Sequence, residues 1–339
     1  MILQSNFTNS TLPHKFSFSN FFLDNQTIFI FFPLSILDSI LYLPSFNALR
    51  AFYPKSKFII FQHISHKPLH FIFRQFYEPL YYNSDAPNHL KFDFNLYTDL
   101  KSPTLFFNFD HTNSLISNFF AQNIFSDFKI SIFADAANPT YNVSYQFDPS
   151  NYSHPAALLQ YRLNAMYYNR LTFKTVHTHP SRTVLLEATQ FLLENGYQTQ
   201  QPLIFINLTQ PITSYKPAFS TMIEYFKRFS EETNAFFVII CNQSKITSSF
   251  THQIKNTIAL SQLPIYAQIA IAALSDLFFT TIDLMLALGT LFDFKHLVII
   301  DDNQKNDLLQ LLSFKEMDIH KWQEIEPLDP QTFLNRVKN

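Results

Sequence analysis

Glycine is almost missing from this sequence: there are 2 in 339 residues, beside a single cysteine and a single tryptophan. Loops that cradle phosphates need glycine, because their backbone must approach the ligand closely or take positive φ. The P-loop and the G-x-G-x-x-G dinucleotide fingerprint are therefore both excluded. Cys241 has no partner for an internal disulfide and no zinc-ligand spacing around it, which predicts a reducing compartment, the cytoplasm, and no structural metal. Charge is also scarce, at 15 % of residues, and the formal net charge of −2 predicts neither a nucleic-acid partner nor strong attraction to a membrane. Residues 1–25 lack a cationic stretch followed by an apolar core, so they do not read as a signal peptide. The run from Thr27 to Leu49 is apolar, but Asp38, Asn47 and two prolines interrupt it and its period changes midway, which argues against a membrane span.

Hydrophobic residues, by contrast, are plentiful. At 47 % of a chain this long they can fill two cores, and the excess of 41 Phe reads as genomic bias rather than function. The pattern opens with Thr27 to Phe32, a β-branched and aromatic run expected to be a strand buried on both faces and stopped by Pro33. From Ile36 the period becomes helical, with Ile40, Leu43, Phe46, Leu49 and Phe52 on one face and Asp38 in the first turn, where the macrodipole favours an acid. Lys57 to Phe61 gives a second strand, hence a β-α-β unit. Further strands are expected at Leu105 to Phe109 and Ile130 to Phe133. A helix over Thr112 to Phe125 should turn Leu115, Ile116, Phe119 and Phe120 inward, and another should cover Ala156 to Asn169.

The second half repeats this alternation. Helices are expected over Val184 to Glu194, capped by Gly196; Phe219 to Phe229; Tyr266 to Ser275; and Asp283 to Leu288, capped by Gly289. Strands are expected at Pro202 to Asn207, Phe236 to Ile240, Leu277 to Phe279 and Leu297 to Ile300, followed by two late helical pieces. The reading is α/β: an extension over 1–26, a Rossmann-like domain over 27–174, a linker over 175–183 and a second Rossmann-like domain over 184–339.

The residues Ser35-x-x-Asp38, then Leu43-Pro44, Ala48-Leu49-Arg50 and Tyr53-Pro54, resemble the opening of the ADP-heptose:lipopolysaccharide heptosyltransferases, glycosyltransferase family nine. That resemblance implies a GT-B fold: two doubly wound parallel-sheet domains facing a central cleft. It implies transfer of a sugar from a nucleotide-sugar donor to a lipopolysaccharide core or other glycan acceptor, without cofactor or metal, at the cytoplasmic face of a membrane and with at most peripheral contact to it. Asp38 falls on the family's catalytic base, although Leu37 stands where the family has glycine. In the family's D-L-Q-x-x-x-R-S element Asn113 takes the arginine's place before Ser114, and Ser35, His111 and Asn113 become candidates for acceptor binding. His154 followed by Gln160-Tyr161-Arg162-Leu163 resembles the H-x-x-x-R-Y-L helix that closes the first domain. Lys216 matches the diphosphate lysine of K-x-W, with Ala218 for the tryptophan, and reads either as a phosphate ligand or as one more solvated lysine. Thr209, Gln210, Thr213 and Ser214 would add donors around the diphosphate. Asp283 is what remains of D-[ST]-G-x-x-H, which has lost its glycine and its histidine.

Two other patterns fall short of a metal site. His63, His66 and His70 have metal-like spacing, but Pro68 interrupts them and no acid or cysteine lies near. His177-Thr178-His179-Pro180 matches half of a metalloprotease signature whose acids are missing. A rival reading follows from the eroded motifs: a non-catalytic two-domain shell that serves binding or assembly.

Overall fold

The computed structural model describes residues 26–83, 104–112, 114–124, 126–133, 140–144, 154–174, 176–209, 219–260, 263–281, 284–292, 294, 296–300 and 318–338. The chain divides into two compact units, Met1–Val176 and His177–Asn339.

The first lobe runs β1 (Thr27–Phe31), α1 (Ile36–Leu41), α2 (Leu43–Phe52), β2 (Lys57–His63), a 3-10 turn (Ile64–Leu69), α3 (His70–Phe73), β3 (Pro79–Tyr82), β4 (Thr104–Asn108), α4 (Leu115–Asn123), β5 (Phe128–Ser131), β6 (Val143–Ser144) and α5 (Pro155–Met166). Its strands form one six-stranded sheet in the order β3-β2-β1-β4-β5-β6, and every pairing is parallel. β1 is central because it can be buried on both faces: all five residues are buried, and Phe29 aligns with Ile59 on one side and Phe106 on the other. Phe31, Phe61, Tyr82 and Phe120 close one face of the sheet, with ring centroids 4.8–5.1 Å apart.

The second lobe runs α6 (Arg182–Glu194), β7 (Leu203–Leu208), α7 (Phe219–Thr233), β8 (Phe236–Cys241), α8 (Ser244–Gln253), β9 (Thr257–Leu260), α9 (Ile265–Leu274), β10 (Leu277–Thr280), α10 (Leu284–Phe292), β11 (His296–Ile299), β12 (Asp318–Lys321), α11 (Trp322–Ile325) and α12 (Pro330–Lys338). Its parallel sheet has the order β12-β11-β10-β7-β8-β9. Counted from each lobe's own first strand, both orders are 3-2-1-4-5-6, the doubly wound arrangement in which ligands sit where the strand order reverses. That place is the carboxyl end of β1 and β4 in one lobe, and of β7 and β10 in the other.

Several expectations are corrected. The helix after β1 is two helices, since Pro44 lacks the N–H that an unbroken helix needs and is tolerated only in the first turn of α2. Leu115 does not point inward and is 90 % exposed. The hydroxyl of Ser114 accepts from the amide of Ser117 and starts α4 there, so Ser117, Phe120 and Ala121 form the buried face. Gly289 caps nothing, because α10 continues past it to Phe292. Gly196 is a cap, with φ of +93° and a Schellman pair in which Tyr197 N–H donates to the Leu192 carbonyl and Gly196 N–H to that of Leu193. The edge strands β3, β6, β9 and β12 are not among the expected elements, and α6 starts inside the expected 175–183 linker.

Candidate functional site

The first lobe gathers five polar side chains at its strand-order reversal, Ser35, Asp38, Tyr42, His111 and His154. β1 ends against Pro33, and Ser35 caps α1, its hydroxyl accepting from the Asp38 amide at 3.3 Å. The cap sets the start of the helix, which puts Asp38 in the first turn at the positive end of the dipole. The Asp38 side chain is 12 % exposed, with Oδ2 at 3.9 Å from His111 Nδ1 and Oδ1 at 4.0 Å from His154 Nε2. Tyr42, at the break between α1 and α2, brings its hydroxyl to 3.3 Å from His111 Nδ1. Burial, aided by the charges of Asp38 and Asp110, pushes the Tyr42 phenol well above its ordinary pKa and keeps it protonated. The Tyr42 hydroxyl can therefore donate to His111 Nδ1 in the tautomer that leaves this nitrogen a lone pair.

Each histidine is held by its own loop. His111 follows Asp110, a fully buried carboxylate that accepts from Thr112 N–H at 3.1 Å, the Thr112 hydroxyl at 2.6 Å and Ser114 N–H at 3.0 Å. This turn ties the end of β4 to the start of α4. His154 is the N-cap of α5, and its Nδ1 accepts from Ala156 N–H at 3.1 Å. A lone pair used in this way leaves the proton of the neutral ring on Nε2, the nitrogen facing Asp38. Neither imidazole is close enough to Asp38 for a direct hydrogen bond. The donors also stand wider than the roughly 3–3.5 Å between ligands about 2.1 Å from one ion. Among the described residues no group of three His, Cys, Asp or Glu can hold a metal.

Ser35, Asp38 and His111 thus come together as the sequence grouped them, while Asn113 lies outside the described residues. His154 is the residue that sequence reading missed as part of the site. Its signal was present, a histidine beside Pro155 at a helix start, but nothing local says that this cap faces Asp38. His66 is also nearby and is structural: fully buried, it donates from Nε2 to the Leu34 carbonyl at 2.9 Å and meets the Ser39 hydroxyl at 3.5 Å through Nδ1. Burial lowers its pKa to about 4, so its neutral ring pins the turn before α1 to the segment after β2.

At the corresponding position of the second lobe, buried Asn207 bridges β7 and β10, its amide donating to Thr280 Oγ1 at 3.1 Å. Its Oδ1 accepts from Thr209 N–H at 3.3 Å, which fixes the first residue of the loop leaving β7. Gln210, Thr213, Ser214, Lys216 and Asp283 lie outside the described residues.

Two parallel sheets of this order, one per lobe, are the fold of the GT-B glycosyltransferases. Among solved structures, E. coli ADP-heptose lps heptosyltransferase II is similar with a TM-score of 0.68 at 12 % identity, over 92 % of this chain and 97 % of that one. A glycosyl transferase family 9 protein from Veillonella parvula DSM 2008 gives 0.65 at 12 % identity, over 93 % and 97 %. E. coli heptosyltransferase WaaC with ADP gives 0.57 at 9 % identity, over 92 % and 99 %. No family model matches the sequence, and no curated protein matches it.

Proposed function

We propose that this chain is a glycosyltransferase that moves a sugar from a nucleotide-sugar donor to a hydroxyl of a lipopolysaccharide core or other glycan acceptor, with inversion and without a metal, in the cytoplasm. The observation that carries the reading is the Asp38 carboxylate flanked at 3.9 and 4.0 Å by two imidazoles, at the carboxyl end of β1, on a GT-B fold. Asp38 takes the proton of the acceptor hydroxyl as that oxygen bonds to the anomeric carbon, and the bond to the nucleoside diphosphate breaks on the opposite face, which inverts the centre. His154, with its Nε2–H, and His111 orient the acceptor oxygen. Ser35 holds Asp38 through the cap, and Asn113 contributes to the acceptor side. On the donor side Thr209, Gln210, Thr213, Ser214 and Asp283 surround the diphosphate, and the Lys216 ammonium stabilises the departing charge in place of a metal.

The experiment is turnover of a panel of ADP- and UDP-sugars by the wild type and by Asp38→Asn. Loss of about 10²–10⁴ in kcat is expected, the range for a general base. Undiminished turnover by the variant removes Asp38 from the chemistry. A second reading is favoured by the stretch Thr280 to Met285, where the resemblance expects glycine and histidine and where α10 instead buries Met285. In that reading the chain is a binding or assembly shell, and calorimetry showing no heat with any nucleotide would select it.

A further inference from the structure

We propose that α6 of the second lobe is a self-association surface, on which the same helix of a second copy of this chain packs antiparallel. The inner side of α6 is accounted for: Ala188 and Leu192 are buried, Val184, Leu185 and Phe191 are half-buried, and the helix lies against α9. The outer side is apolar where a surface helix is normally polar. Leu186 is 59 % exposed and Leu193 48 % exposed. They are seven residues apart on one unbroken helix of 13 residues, so they stand about 20° from each other around its axis, with Arg182 one turn before Leu186. Small Thr189 falls between them, and Arg182, Leu186, Thr189 and Leu193 follow the four-three-four spacing of a two-helix seam. Tyr266 and Leu274, the other exposed large hydrophobics among the second lobe's described residues, are on the neighbouring α9.

Charge complementarity selects a second copy as the occupant. α6 has Arg182 in its first turn and Glu194 in its last, with no acid at the start and no base at the end. Each charge sits at the macrodipole end of its own sign, so this arrangement gains nothing within an isolated helix. An antiparallel copy reverses the balance. With the two-fold axis midway between the leucines, Leu186 of one chain meets Leu193 of the other, and Arg182 comes within about one helical turn of Glu194 of the second copy, at both ends of the pair. An unlike partner would need a base and an acid at those same two places, and the helix itself already supplies them. An anionic membrane is disfavoured, because the exposed acids Glu187 and Glu194 outnumber Arg182. A helix about 20 Å long offers, on its own, less than the roughly 800 Å² per partner of a stable complex, so the association is weak and depends on concentration. The test reads mass and needs no nucleotide, which keeps its failure distinct from failure of the transferase reading.

Sedimentation velocity of the full chain, from low micromolar to a few hundred micromolar, tests it. The wild type is expected to be monomeric at the low end and to shift toward a dimer as concentration rises. Leu186→Asp/Leu193→Asp should stay monomeric throughout. Arg182→Glu and Glu194→Arg should each raise the dimer dissociation constant by roughly tenfold, because symmetry places the resulting like charges together twice. The double variant Arg182→Glu/Glu194→Arg should restore the wild-type constant, a rescue that damage to the fold could not produce. All four side chains are exposed, and circular dichroism checks that each variant keeps its helices. A wild type that remains monomeric over the whole range, a dimer that the two aspartates leave intact, or single charge variants that the double variant fails to rescue would each overturn the proposal.

Discussion

His154 carries two separable tasks, and one substitution divides them. Asparagine is a good N-cap, so His154→Asn keeps an acceptor for the Ala156 amide while removing the ring nitrogen that faces Asp38. If the ring orients the acceptor hydroxyl, kcat/KM should fall by about 10–100-fold while the thermal midpoint stays in place; a drop in both together would make the residue only a cap. His66 gives the complementary case, a histidine with a stability role. Its folded pKa of about 4 lies below the ordinary 6.5, so between these values the unfolded chain binds a proton that the native chain refuses. Stability attributable to His66 is therefore complete above pH 6.5 and is lost as pH falls toward 4, on the order of 3 kcal/mol by linkage. Urea midpoints of the wild type and His66→Gln at pH 7 and pH 5 check this: the wild type should fall further between the two. Parallel behaviour would show that this ring does not govern the acid side of the stability curve.

Elements report how well local chemistry predicted local structure. α1 starts where Ser35 and Asp38 say it should, because the hydroxyl caps the very amide that the acid carries. Of the four apolar residues expected to form the inward stripe of α4, Phe120 is buried and Ile116 and Phe119 pack against the core, while Leu115 at the first turn faces outward. With Ser114 as the cap, small Ser117 and Ala121 join Phe120 on the buried face. The four strands that were not expected, β3, β6, β9 and β12, have only two to four residues each, so none shows the longer buried run that marked β1, β7 and β8. Gly196 supplies the prediction at this level. Its φ of +93° is a backbone setting that side chains resist, yet a Cβ built there meets nothing within 4 Å. Gly196→Ala should thus cost roughly 1 kcal/mol through backbone strain alone, with no loss from packing, and differential scanning calorimetry would read it as a small drop in midpoint. A loss of several kcal/mol would mean that the alanine forces the Leu192–Tyr197 pair apart.

Two lobes were legible because each half of the sequence alternates strand and helix patterns around buried runs, and each now has its own core. One is built on Phe29, Phe61 and Phe106, the other on Ile206, Phe226 and Phe237. What the sequence could not supply is that His154, the cap of α5, meets Asp38 in the first turn of α1 and His111 after β4: the three are far apart along the chain, and only the strand order makes them neighbours. The same separation assigns donor recognition to the second lobe in the proposed function, which can be tested by dividing the chain after Val176. Units of this size with independent cores commonly fold alone. His177–Asn339 should then bind ADP or UDP by itself, and at nucleotide concentrations near a hundred times Kd its stability should rise by about 2.7 kcal/mol, a midpoint shift of roughly 5–10 °C. Met1–Val176 should show no shift with either nucleotide. A shift confined to the first half would overturn the assignment of the diphosphate to the loop that leaves β7 at Thr209, because that loop would then be absent from the fragment that binds.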